Sequence, residues 1–259
     1  MSNPFRRLVH NAGPRLRLLR TALTRRYIYD DLTLMVKAHG FELREIRANL
    51  HPLRFAALLP VATRGLARPD FTSALGALSS FDSANAQAWN SEPSVSEFLG
   101  ELVVRLQART VVELGCFIGW TSAHLACALK AAGAGGQLWC LDSDARYLEA
   151  ARTNLARRQL AAPVTFVRGL SLEPAALAAL PTSCDLVFID TSHDYHLTKE
   201  EIARYGQRLA PGGMLVLHDS ISQYGVRQAV LEAADQFEIL TFATEFGNGL
   251  TVLLPRTPA

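Results

Sequence analysis

From Thr110 onward a short apolar run rich in β-branched residues is followed by a segment of helix length, five times in succession. TVVEL precedes Thr121 to Lys130, QLWCL precedes Ala145 to Arg158, VTFVR precedes Pro174 to Leu180, DLVFI precedes Leu197 to Leu209, and MLVLH precedes Val226 to Phe237. Nearly continuous apolar runs suit strands covered on both faces, and strands joined through helices run parallel. The last two runs, EILTFAT and LTVLLP, are separated only by EFGNG, a hairpin signal. The pattern predicts an α/β, doubly wound sheet with a reversed last strand. Ahead of it, Ser94 and Glu97 have capping-box spacing before FLGELVVRLQ, which places a helix start there.

Ligands of such sheets bind beyond the carboxyl ends of the strands, so the strand ends carry the chemistry. The first strand ends in VVELGCFIGWTS. Dinucleotide sites want GxGxxG, whereas here three residues separate Gly115 from Gly119 and Glu113 introduces an anion. A carboxylate at that turn repels phosphate and suits a ligand with an ammonium group, which counts against a dehydrogenase. The second strand ends at Asp142, where a carboxylate can accept both hydroxyls of a ribose. The fourth, DLVFIDTSHDYH, surfaces into Asp190, His193, Asp194 and His196, and the fifth delivers His218 and Asp219.

With Glu113, Gly115, Gly119 and Asp142 in this order, the chain resembles the class I S-adenosylmethionine-dependent methyltransferases. GCFIGWTS is similar to the turn of the metal-dependent, catechol-type O-methyltransferases and of related sugar and antibiotic-tailoring enzymes, the cephalosporin hydroxylase-like branch included. The resemblance spans roughly residues 90–255 and implies a Rossmann-like, seven-stranded fold. It implies S-adenosyl-L-methionine as cofactor, with Glu113, Gly115 and Gly119 at its methionine end, Asp142 on the ribose, and Gly169 with Ser171 near the adenine. It also implies a divalent cation such as Mg²⁺ on Asp190, His218 and Asp219, with His193 as general base. The chemistry is coherent by itself: coordination lowers the pKa of a hydroxyl, and a nearby imidazole takes its proton.

Plainer readings stand beside these. His218 departs from the carboxylate usual at its position, which admits a softer ion or none. His218 and Asp219 also read as a strand end and a turn cap, His193 as a loop histidine, Asp190 as a helix cap, and Asp194 and His196 as first-turn helix residues. Trp120 and Tyr195 either line the acceptor pocket or pack. IDxxHxY, Ile189 to Tyr195, and GVRQAV at 225–230 look closer to enzymes of sugars and secondary metabolites than of catechols. A cofactor-binding partner without methyl transfer, or a hydroxylase-like relative, shares the same motif order.

Charge separates a second region. Residues 1–68 hold thirteen Lys or Arg against four Asp or Glu, whereas residues 69–259 hold thirteen against twenty, so +9 faces −7. Residues 1–90 are therefore expected to be a basic, helical region for docking, dimerisation or lid formation, and 91–259 the catalytic domain. Its amphipathic stretch, Pro14 to Ala38, suits a homo-oligomer contact or weak contact of residues 1–68 with an anionic surface. The expected partner is a small-molecule or sugar acceptor, and no nucleic acid is expected. Cys116, Cys127, Cys140 and Cys184 lack CxxC spacing and read as free thiols. With no long apolar run and no signal-like N-terminus, cytoplasmic residence is expected.

Overall fold

A computed structural model of the chain describes residues 90–242 and 248–256, and the expectations for residues 1–68 lie outside them. The elements are α1 (Pro93–Leu106), β1 (Thr110–Leu114), α2 (Trp120–Ala132), β2 (Gln137–Asp142), α3 (Ala145–Arg157), β3 (Val164–Arg168) and α4 (Pro174–Ala179). They continue with β4 (Cys184–Ile189), α5 (Tyr195–Gly206), β5 (Leu209–His218), α6 (Tyr224–Glu232), β6 (Phe237–Phe242) and β7 (Leu250–Pro255). The seven strands of the described residues form one sheet in the order β3-β2-β1-β4-β5-β7-β6. β7 is antiparallel to both neighbours, while β1 to β5 pair in parallel, as the alternation predicted.

Sequence order reverses between β1 and β4, the switch point beside which ligands of such sheets bind. Strand side chains alternate between two cores. Val111, Leu138, Leu186, Phe188 and Val216 pack toward α1, α2 and α3. Val112, Leu141, Val187, Leu215 and Leu217 pack toward α4, α5 and α6. The side chains of both layers are buried at the middle of the sheet, which holds the ends of β1, β4 and β5 in fixed relation.

Three local expectations change. Helix α1 begins at Pro93, with Glu92 rather than Ser94 in the N-cap position. Proline suits the first helical position because it lacks the N–H that would have no partner there, and this moves the start ahead of the capping-box spacing. β5 begins at Leu209 and runs through Pro211, Gly212 and Gly213, residues that read as a break. A register shift between Cys184 and Leu186 absorbs them, and a Cβ on Gly213 would stand 2.7 Å from the Cys184 carbonyl oxygen. Helix α6 ends at Glu232, because Phe237 already pairs with Pro255 as the first residue of β6.

Phe188 is fully buried at the centre of the first core. Phe188→Ala should destabilise the fold by about 3–5 kcal/mol, measured as urea unfolding of the intact chain. A loss below about 1 kcal/mol would contradict this placement.

Candidate active site

The loops after β1 and β4 meet backbone to backbone. Gly115 takes φ +85°, and a Cβ there would stand 2.0 Å from the Asp190 carbonyl oxygen. No side chain fits such a gap, so glycine is required by both conformation and space. The Gly115 N–H donates to Leu141 O at 2.8 Å and the Asp190 N–H to Leu114 O at 2.9 Å, which fixes the turn on its two flanking strands. Gly119, φ +86°, serves a different end: its Cβ would press on Leu155 and Ala151 at 2.9 and 3.0 Å, so it lets α3 pack against the start of α2.

Asp142, half-buried at the end of β2, accepts the Phe117 N–H through Oδ2 at 3.0 Å and the Asp144 N–H through Oδ1 at 2.9 Å. Each oxygen keeps a further acceptor site, so the carboxylate suits a ribose diol beside the Gly115 turn. Gly169 donates its N–H to Asp142 O at 3.1 Å. Ser171 is buried, and its hydroxyl donates to Glu201 Oε1 at 2.5 Å. Glu201 also accepts from Thr191, the residue after Asp190, at 2.9 and 3.0 Å, and so joins the β3 and β4 loops from beneath. Burial, opposed by these two hydroxyls, raises its carboxyl to about 7.

Glu113 departs from expectation. It is 1% exposed beneath the turn, where it accepts from the Ser122 hydroxyl and, at 3.4 Å, from Cys140 Sγ. Burial raises it to about 8, against the opposing hydrogen bonds. The shift favours its protonated form, in which it supports the turn from beneath.

Asp190, His193, His218 and Asp219 come together at the carboxyl ends of β4 and β5. His193 Nε2 lies 2.8 Å from Asp219 Oδ2 and 3.9 Å from Asp190 Oδ1. His218, 5% exposed, directs Nδ1 at Asp190 Oδ2, 3.4 Å away, and Asp219 Oδ1, 3.7 Å away. Its Nε2 lies 2.6 Å from Oε2 of Glu92, which is itself 1% exposed. Asp219 adopts φ +56°, a conformation that aspartate tolerates better than most side chains, and this turns the chain sharply as β5 ends. Two imidazoles thus alternate with carboxylates. The neighbouring carboxylates of Asp190 and Asp219 raise His193 to about 9 despite burial. Burial opposes charge on His218, yet Asp190 and Glu92 carry it up to about 11. Asp190, although desolvated, is held below the usual carboxylate range by the two rings.

The donors also fit a cation. Asp190, His193 and Asp219 offer ligand atoms all within 4.8 Å of one another, and His218 Nδ1 faces the same two carboxylates. Asp194 instead caps α5, accepting the Leu197 N–H at 3.0 Å, and His196 is exposed in its first turn. Tyr195 donates to Glu232 Oε2 at 2.6 Å and braces α5 against α6, a packing role. Trp120 packs against the first core. Gly225, in GVRQAV, lets α6 start against the loop after β4: a Cβ there would stand 2.3 Å from His193 O.

Comparison with known proteins gives the family of the chain. The family described as "Methyltransferase domain" matches residues 112–220. The catechol O-methyltransferase of Mycobacterium tuberculosis is 31% identical over 163 residues, which cover 61% of this chain and 69% of that protein. Among solved structures, the O-methyltransferase of Bacillus cereus in complex with SAH superposes with a TM-score of 0.59 at 22% identity, covering 71% of this chain and 91% of that one. TomG of Streptomyces achromogenes, an O-methyltransferase in complex with SAM, gives 0.58 at 20%, covering 79% and 95%. At those identities the structures establish the fold, and the mycobacterial relative establishes the family. The chain belongs to the class I S-adenosylmethionine-dependent methyltransferases and transfers methyl groups to oxygen.

The raised carboxyl of Glu113 has a consequence for pH. Its folded pKa of about 8 lies above the ordinary 4.5, so the stability it lends is complete below about pH 4.5 and is lost as pH rises through about 8. Urea midpoints should therefore fall more steeply between about pH 4.5 and 8 in the wild type than in Glu113→Gln, which cannot ionise. Parallel curves for the two proteins would show that Glu113 is already charged at neutral pH.

Proposed function

We propose that the protein methylates a hydroxyl of a sugar or secondary metabolite, with a divalent cation assisting and His193 as general base. The observation that carries this reading is the meeting of Asp190, His193, His218 and Asp219 beside the Gly115 turn. Bound S-adenosylmethionine supplies an electrophilic methyl group on a sulfonium. A bound divalent cation, Mg²⁺ or a softer ion, lowers the pKa of a coordinated hydroxyl.

The chain's own residues do the rest. The Gly115 turn and Asp142 would bind and orient the cofactor, with Gly119, Gly169, Glu113 and Ser171 shaping its surroundings from behind. Asp190, His218 and Asp219 would hold the cation. His193 Nε2 would take the proton from the acceptor oxygen, and the displacement then requires alignment and exclusion of water. Asp190 and Asp219, once shared with a cation, hold the His193 proton less tightly, which favours the base form. Residues 1–90 we read as a docking, dimerisation or lid region, on the +9 charge of residues 1–68. Homo-oligomer formation, weak contact with an anionic surface and cytoplasmic residence rest on the same composition. Among the described residues no helix is long and apolar enough to cross a membrane.

The test is methyl transfer from labelled S-adenosylmethionine to a panel of sugars, phenols and polyketide-like alcohols, with catechol first because a relative bears its name. His193→Ala should lower the rate by about 10²–10⁴ while S-adenosylhomocysteine affinity stays intact. Because the base form of His193 accumulates as pH rises, the wild-type rate should climb toward alkaline pH and the variant's profile should lack that limb. Asp142→Ala should do the reverse, weakening S-adenosylhomocysteine by about 1–3 kcal/mol. Full activity in His193→Ala would remove the base from this reading.

A further inference from the structure

Glu92 precedes α1, and 126 residues separate it from His218, its partner at 2.6 Å. The segment is pinned where it is. Ser91 Oγ lies 2.6 Å from Thr121 Oγ1 and 3.0 Å from Ser96 Oγ, so hydroxyls from before α1, from α1 and from the first turn of α2 form one buried cluster. Helix α1 itself lies on α2 through Phe98, Leu99 and Leu102. A carboxylate that is 1% exposed beside a 5% exposed imidazole is a built arrangement, because burying a charged group without a partner is strongly unfavourable.

We infer that Glu92 is a positioning residue: it accepts the Nε2–H of His218, aims Nδ1 at Asp190 and Asp219, and thereby completes a nitrogen-containing site at which Mn²⁺, Co²⁺ or Zn²⁺, in preference to Mg²⁺, would take the place of the Nδ1 proton. This rests on the methyltransferase reading above and deepens it by assigning the ion class. Metal-binding histidines commonly donate their second N–H to a carboxylate, which fixes the tautomer, orients the ring and makes its other nitrogen a better donor. Glu92 supplies that carboxylate from a different element. The 3.4 and 3.7 Å separations from His218 Nδ1 to one oxygen of Asp190 and one of Asp219 suit donor atoms that share an ion. Imidazole nitrogen beside carboxylate oxygen shifts preference away from Mg²⁺, a hard ion that favours oxygen and retains its water.

The test uses the intact, chelator-stripped protein with S-adenosylhomocysteine bound, titrated calorimetrically with Mn²⁺ and with Mg²⁺. The wild type should bind Mn²⁺ at least about tenfold more tightly than Mg²⁺. Glu92→Gln and Glu92→Ala should each weaken Mn²⁺, the alanine variant by about 10–100-fold, with S-adenosylhomocysteine affinity unchanged as the control for folding. Pulsed electron paramagnetic resonance of bound Mn²⁺ should carry a nitrogen coupling that persists in His193→Ala and disappears in His218→Ala. The inference is overturned if both Glu92 variants bind Mn²⁺ as the wild type does, if Mg²⁺ is preferred, or if the coupling survives in His218→Ala. Failure of the wild type to bind Mn²⁺ while methyl transfer proceeds would also overturn it, leaving the methyltransferase reading standing; loss of S-adenosylhomocysteine binding in the wild type would instead undo both.

Discussion

The close approach of Gly115 to the Asp190 backbone is the constraint on which the rest of the site depends. It lies where β1 and β4 adjoin and the strand order reverses, so the loops after those two strands would otherwise part. Here they touch, at a distance that excludes even a methyl group. The turn expected to carry the cofactor and the residue expected to face the acceptor are consequently one rigid unit. A methyl group must be passed along a line between donor and acceptor, and such an alignment is retained only if the two loops cannot drift apart. Glu201 reinforces the junction from below by holding Thr191 and Ser171 together.

Electrostatics at the mouth of the crevice follow from burial. Carboxylates from Glu92, Asp190 and Asp219 surround two imidazoles, and the low exposure of His218 and Glu92 makes each group depend on its partners. Removing one member leaves an uncompensated charge, which is why the set behaves as a unit. Glu113 obeys the same rule with the opposite outcome. It has hydroxyl and thiol partners in place of a cation, and burial pushes its carboxyl up, toward the protonated form.

Much of this was legible in the sequence. Buried parallel strands have to be continuously apolar, so QLWCL, DLVFI and MLVLH mark where strands lie and their ends point to Asp142, Asp190, His218 and Asp219. His193 was legible from its spacing after Asp190. Other parts were not, for physical reasons. Pro-Gly-Gly reads as a break, and only the register shift between β4 and β5 keeps it within a strand. Glu113 reads as an anion because charge is local in sequence, whereas desolvation is set by the neighbours that cover it. Glu92 had no signal at all: it looks like a loop residue before a helix, and its role arises from packing between segments 126 residues apart.

The account stands most directly on where the cofactor's sulfur lies, which a crystal structure of the intact protein with S-adenosylhomocysteine would show. The homocysteine should rest on the Gly115 turn with the ribose on Asp142 and the sulfur directed at the space before His193 and Asp219. A sulfur pointing away from those residues, or a ligand seated elsewhere than the switch point, would contradict the claim that one junction serves both halves of the reaction.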